Sequence, residues 1–206
     1  MLRTKIIIAS MAMALITGLT ACEKQADIAG TWAGSPSQFA PEDQGTPAGT
    51  TANSMITTRM TFIPVEGDNS QGTVEVASDL SLTEAVPFDS TIVAPYEMSV
   101  AGTAVISGVY HFDDNDEVVM SLDPSTLNVN IDPQTVAYSE NLITGTQAPQ
   151  IERLKPAIAA AMKAKITPML QAYYARYQRI EDIKVKNGLM SCEIGDRDYT
   201  LRSTAK

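Results

Sequence analysis

Apolar and polar residues alternate along much of the middle of the chain, most regularly at Val74, Val76, Leu80 and Leu82, with Thr73, Glu75, Asp79 and Ser81 between them. This alternation predicts a strand with one face buried and the other wet. It recurs in Met98, Val100, Gly102, Ala104, Ile106, Gly108, Tyr110 and Phe112, in Val118, Met120 and Leu122, and in Leu127, Val129 and Ile131. These predict successive half-buried antiparallel strands. Met55 to Val65 predicts another, less regular one, and Gly30-Thr31-Trp32 a short first strand. Asp113 to Glu117 reads as a turn. Gly102 and Gly108 fall on the inward side of a long strand, where glycine marks bends that let a sheet curl and could leave a cavity or admit a helix. A curled sheet of about eight strands makes an antiparallel barrel or half-barrel, mainly β with one inserted helical segment.

That helical segment spans about 150–180. Ile151, Leu154, Ile158, Met162, Ile166, Met169, Tyr173, Tyr177 and Ile180 step by three or four, the spacing of an amphipathic helix. Pro156 suits a first turn, whereas Pro168 falls inside the pattern and predicts a kink or a division. Strands then resume at Ile183 and Val185, at Leu189 to Ile194 and at Tyr199 to Arg202, with turns at Asn187-Gly188 and Gly195-Asp196. Asn-Gly between alternating runs is a strong hairpin signal. Ser35 to Asn53 is rich in Pro, Gly, Ser, Thr and Gln without apolar period, and predicts a long loop.

The N-terminus changes the picture. Arg3 and Lys5 precede an apolar run from Ile6 to Gly18, too short for a membrane span and ordered as in a signal peptide. Leu19-Thr20-Ala21-Cys22 resembles the lipobox cut by the lipoprotein signal peptidase of bacteria. The resemblance implies residues 1–21 as a lipoprotein signal peptide and 22–29 as a lipidated tether. Cys22 would become the mature N-terminus, carrying diacylglyceryl and further acyl groups such as palmitate. Two or more acyl chains hold a protein stably at a membrane. The expected place is the cell envelope, as an outer-membrane lipoprotein facing the periplasm or the exterior, with Glu23 after Cys22 compatible with outer-membrane sorting.

Charge is distributed unevenly. From Asp27 to Glu152 eighteen acidic residues face a single basic one, Arg59, whereas Arg153 to Lys206 holds eleven basic and five acidic residues. An acidic body excludes nucleic acid as an expected partner and opposes lying flat on anionic lipid. The segment from Arg153 to Arg179 carries six basic residues and no acidic one. Its helix is expected to pack its Ile, Met and Tyr stripe against the sheet or across the barrel opening, with its cations rimming the contact. The competing expectation sends Lys163, Lys165, Arg176 and Arg179 to anionic headgroups.

Gly30-Thr31-Trp32 on the first strand and Arg202 on the last resemble the lipocalin-like superfamily, and the chain is similar to small lipid-anchored lipocalin-like domains of Gram-negative bacteria. The resemblance implies a lipocalin-like β domain over 30–206 with its helix ahead of the terminal hairpins. It also implies Trp32 and Arg202 as a structural pair, the arginine packing on the indole. The helix before a terminal hairpin and the missing Thr-Asp-Tyr turn depart from that family, so no ligand-binding residue carries over.

Catalytic constellations are sparse. His111, the one histidine, lies opposite Tyr110 and Phe112 on its strand and reads as solvent-facing. No Gly-x-Ser-x-Gly elbow is present. Cys192, in the run Met190, Cys192, Ile194, reads as a buried small hydrophobe, although a dyad with His111 is conceivable. Asp113, Asn115 and Glu117 offer alternating oxygen ligands for a metal, but the glycine and distal glutamate of a calcium loop are missing, so a solvated hairpin tip is favoured. Tyr173, Tyr174 and Tyr177 are the candidates for stacking on a ligand. Asp89-Ser90-Thr91 resembles a short O-glycosylation signal.

The expected function is non-enzymatic, with no cofactor and no metal: a membrane-anchored domain binding a small apolar or amphipathic ligand in its barrel mouth. The alternative is an interaction or assembly component of the envelope that docks a protein partner through its helix or acidic face. Barrel filling discriminates the two.

Overall fold

The structure, a computed structural model, describes residues 25–39, 54–86, 96–138 and 148–204. The signal peptide, Cys22, residues 40–53 of the expected loop and Asp89-Ser90-Thr91 lie outside them. Among the described residues eleven strands form the sheet: β1 (Gly30–Ala33), β2 (Ser37–Gln38), β3 (Met55–Val65), β4 (Asp68–Val86), β5 (Tyr96–Asp114), β6 (Glu117–Leu122), β7 (Asn128–Ile131), β8 (Ala137–Tyr138), β9 (Arg179–Lys186), β10 (Leu189–Glu193) and β11 (Asp198–Ser203). A single helix among the described residues, α1 (Ala148–Tyr174), runs on through a 3-10 turn at Ala175–Gln178 into β9.

The strands follow one another around the molecule in the order β1, β11, β10, β9, β6, β5, β4, β3, and β3 pairs back onto β1. Eight antiparallel strands thus close a barrel. Alternation decides which side faces in: Val74, Val76, Leu80 and Leu82 are all buried, as are Met98, Val100, Ala104, Ile106 and Tyr110. The intervening Thr73, Glu75, Asp79 and Ser81 are exposed. Apolar-in and polar-out is the reverse of a barrel whose lipid-facing wall spans a bilayer, and no helix of the described residues is long and apolar enough to cross one.

β6, β7 and β8 are three pieces of one interrupted strand lying along β5. Each interruption repeats one motif: Asp123-Pro124-Ser125-Thr126 and Asp132-Pro133-Gln134-Thr135. The aspartate accepts a hydrogen bond from the backbone N–H two residues on, closing a 3-10 turn around the proline. The threonine hydroxyl then accepts from the β5 backbone, Thr126 from Ser107 N and Thr135 from Ala101 N, both at 2.9 Å. Side-chain oxygen stands in for the carbonyl that left the ladder.

The two inward glycines belong to this device. A Cβ on Gly108 would stand 2.1 Å from the Ser121 oxygen, and one on Gly102 2.6 Å from the Asn130 oxygen. The space in front of them is therefore neither a cavity nor the seat of the helix, because the returning backbone of the neighbouring strand fills it.

The helix differs from expectation at both ends and at its prolines. It starts at Ala148, so Pro156 lies in its interior, and it ends at Tyr174, so Arg179 and Ile180 belong to β9. It also runs through Pro168 undivided. Both prolines are exposed, and the opposite stripe of Ala159, Met162, Ile166, Leu170 and Tyr174 is buried. An interior proline costs about 3 kcal/mol, less than the burial of five such side chains returns at about 1.5 to 3 kcal/mol each for the larger ones. The buried stripe is rotated from the expected one: Ile158, Met169 and Tyr173 flank it, and Leu154 is 54% exposed.

Candidate functional site

The C-terminal end of α1 and the turn after it carry Tyr173, Tyr174 and Tyr177, and the structure brings all three into the barrel mouth. The Tyr177 and Tyr173 hydroxyls are 2.8 Å apart, and Tyr173 Oη lies 3.2 Å from Thr58 Oγ1. Thr58 Oγ1 is in turn 3.2 Å from Ser78 Oγ, which accepts from the Tyr174 hydroxyl at 2.9 Å. Five hydroxyls form one continuous chain across α1, the 3-10 turn after it, β3 and β4. The rings pack against one another at centroid distances of 5.5 Å for Tyr173 with Tyr174 and with Tyr177, and Phe39 adds a tilted contact to Tyr173.

The chain of hydroxyls satisfies groups that are costly to bury alone. Ser78 is 1% exposed and Tyr174 is equally buried. Burial pushes the Tyr174 phenol up to about 12, and it drives Tyr177 further in the same direction. Burial also raises Tyr199, which stands beside them. These phenols stay protonated at neutral pH, so the cluster donates and relays hydrogen bonds but offers no base.

Around this cluster, among the described residues, the open space is small. A cavity of about 20 Å³ lies between Tyr173, Tyr177, Tyr199, Thr58, Met60 and Ser37, and one of about 10 Å³ between Phe39, Leu82, Met162, Ile166 and Met169. The first has the volume of about one water. A small-molecule site needs about 300 Å³ or more. Side chains of the protein's own helix line both spaces.

The other sequence candidates are dispersed. Trp32 is buried in the core, 4% exposed, with its indole N–H donating to the Ile28 carbonyl at 2.7 Å. Arg202 does not pack on it. The register sets Arg202 beside Ala33 and Ser203 beside Trp32, so Arg202 shares the outer face and is exposed while Leu201 points in. Asp113 and Glu117 both pair with Arg179, and the Asn115 carbonyl accepts from Ala26 N at 2.9 Å. Among the described residues no group of acidic, histidine and cysteine side chains could hold a metal ion. Cys192 is buried and burial pushes its thiol up to about 12, whereas His111 is exposed on the outer wall. The barrel wall separates the two, so they form no dyad.

Of the helix cations, Lys155 pairs with Glu152 on its own helix, and Arg179, in β9, reaches Glu117, Asp113 and Glu181. Sequence reasoning passed over Thr58 and Ser78. Each is a hydroxyl at an inward position, Thr58 between Ile56 and Met60 and Ser78 between Val76 and Leu80, and the two are direct cross-strand partners. A polar break in each of two alternating series was the signal.

Fold and site together define a closed eight-stranded antiparallel barrel stoppered by its own tyrosine-bearing helix. Compared with known proteins, the chain matches no family model, no curated protein and no solved structure.

Proposed function

We propose that this protein is a lipid-anchored, non-enzymatic component of the cell envelope that acts through its outer surface as an interaction or assembly module. The observation that carries the reading is the helix seated in the barrel mouth: Met162, Ile166, Leu170, Tyr174 and Tyr177 are buried, Tyr174 is bonded to Ser78, and Met162 and Ile166 lie beside Phe39 and Leu82. Anchoring through Cys22 rests on the lipobox resemblance and on the signal-like segment before it. An outer-membrane site follows from the same resemblance. The tyrosines that stood as ligand contacts satisfy one another, which supports a structural role for them.

Titration of the unlipidated domain with a fluorescent fatty acid tests this against the ligand-carrier reading. A surface-acting module gives no saturable signal. One-to-one saturable binding, weakened by Tyr177→Phe or Met162→Ala, would overturn it and restore a small apolar or amphipathic ligand in the barrel mouth.

A further inference from the structure

The tether and three hairpins meet at one end of the barrel. Strand direction alternates around the ring, so the turns at Glu66-Gly67, Asn115-Asp116 and Asn187-Gly188 share that end with the strand that begins at Gly30 and the one that finishes at Ser203. Residues 25–29 cross beneath it. Gln25 Nε2 donates to the Asn69 carbonyl at 3.3 Å, Ala26 N to the Asn115 carbonyl at 2.9 Å, and Ile28 is 2% exposed under the indole of Trp32. The chain therefore leaves the domain at Gln25, already fastened to the hairpin end. Cys22 stands three residues earlier, and three residues reach at most about 10 Å.

On the outer wall at this end, β9, β10 and β11 set three side chains in one row: Lys186, Leu189 and Arg202 are direct cross-strand neighbours. Leu189 is 40% exposed, with a cation on either side at the roughly 5 Å spacing of paired strands. Lys184 is exposed two residues up the same face of β9. None of the three cations forms an ion pair with a described residue. In a chain of net charge −9, this is a local basic surface around an exposed leucine. The neighbouring hairpins carry Glu66, Asp68, Asp113, Asp114 and Asp116, so the end is bipolar and has a preferred side.

We propose that the hairpin end is the membrane-facing surface of the protein, with Leu189 at the interface and Lys184, Lys186 and Arg202 on the phosphates of phospholipid headgroups. The proposal rests on the anchoring through Cys22. It departs from the expectation that the cations of α1 meet the bilayer, because α1 enters the barrel from the opposite end, where Tyr173 and Tyr177 meet Ser37 and Tyr199. The anchor length carries the choice of partner. With Cys22 in the lipid, the three-residue reach from it to Gln25 keeps this end within about 10 Å of the membrane surface. Each cation near an anionic surface favours the docked state about fivefold.

The test uses the full lipidated protein reconstituted in phosphatidylcholine vesicles containing phosphatidylglycerol. A fluorophore is placed through Leu189→Cys or, for reference, Lys163→Cys on the exposed face of α1, and quenched by aqueous iodide. Docking predicts that the Leu189 label is shielded several-fold relative to the Lys163 label, and that Lys186→Gln with Arg202→Gln removes the shielding. Equal quenching of the two labels in protein that floats with the vesicles would overturn the docking and leave the anchoring intact. Protein that fails to float, like Cys22→Ser, would overturn the anchoring and the docking with it.

Discussion

Two inward hydroxyls, Thr58 and Ser78, decide how the helix sits. A barrel lined only by Val, Ile, Leu and Met would accept the helix in several rotations, but Tyr173 and Tyr174 each have a hydroxyl to satisfy. An unpaired buried hydroxyl costs about 1 to 3 kcal/mol, so rotations that strand them are disfavoured. The titration of Tyr174 follows. Its folded pKa is raised from the ordinary value near 10 to about 12 by burial. The stability that goes with keeping it protonated is fully present below pH 10 and is lost as pH rises toward 12. Urea unfolding of the domain should show a steep fall over that window, less steep in Tyr174→Phe; an unchanged fall in the variant would place the titrating group elsewhere.

At the scale of elements, packing overrode local propensity twice. α1 holds Pro156 and Pro168 in its interior because its opposite stripe is buried in the barrel. Replacing the exposed Pro168 by alanine restores a backbone donor and relieves the ring clash without touching that stripe. Pro168→Ala should therefore raise stability by about 1 to 3 kcal/mol in chemical denaturation, and a loss would mean that the proline shapes the helix path into the mouth. The second override is the interrupted strand of β6, β7 and β8. Its Asp-Pro-x-Thr turns insert three residues at each break, yet Thr126 and Thr135 keep β5 hydrogen-bonded. Past β6, which pairs with β9, the breaks leave only the short pieces β7 and β8 beside β5, and short edge strands are a common protection against strand addition. The repeat stands plainly in the sequence, but nothing local says that both copies face the same strand.

At the scale of the whole molecule, charge and packing separate. The barrel wall carries its excess of acid outward, and among the described residues only a few of these groups meet cations, as Asp79 does with Arg59. Like charges on a compact body repel, and salt screens them within about 8 Å at physiological strength. The melting temperature of the domain should accordingly rise on going from low to physiological salt. A fall would show that the ion pairs around Arg179 outweigh the repulsion.

Period-two alternation sufficed to place the longer strands, their inward faces and the curled sheet, because a half-buried strand imposes its pattern on neighbours in sequence; the two-residue strands β2, inside the expected loop from Ser35, and β8 are too short to show a period. The same holds for the Asn187-Gly188 hairpin and for the existence of the helix. Closure of β3 onto β1, the rotation of α1 and the meeting of Tyr173 with Thr58 join residues far apart in sequence. They depend on register and volume across the barrel, which no local pattern encodes. The expected pair of Trp32 and Arg202 failed for that reason: cross-strand register, which puts Arg202 opposite Ala33, sets which face an arginine takes. The basic row of Lys186, Leu189 and Arg202 is likewise invisible along the chain, since its members come from three strands that only pairing brings side by side.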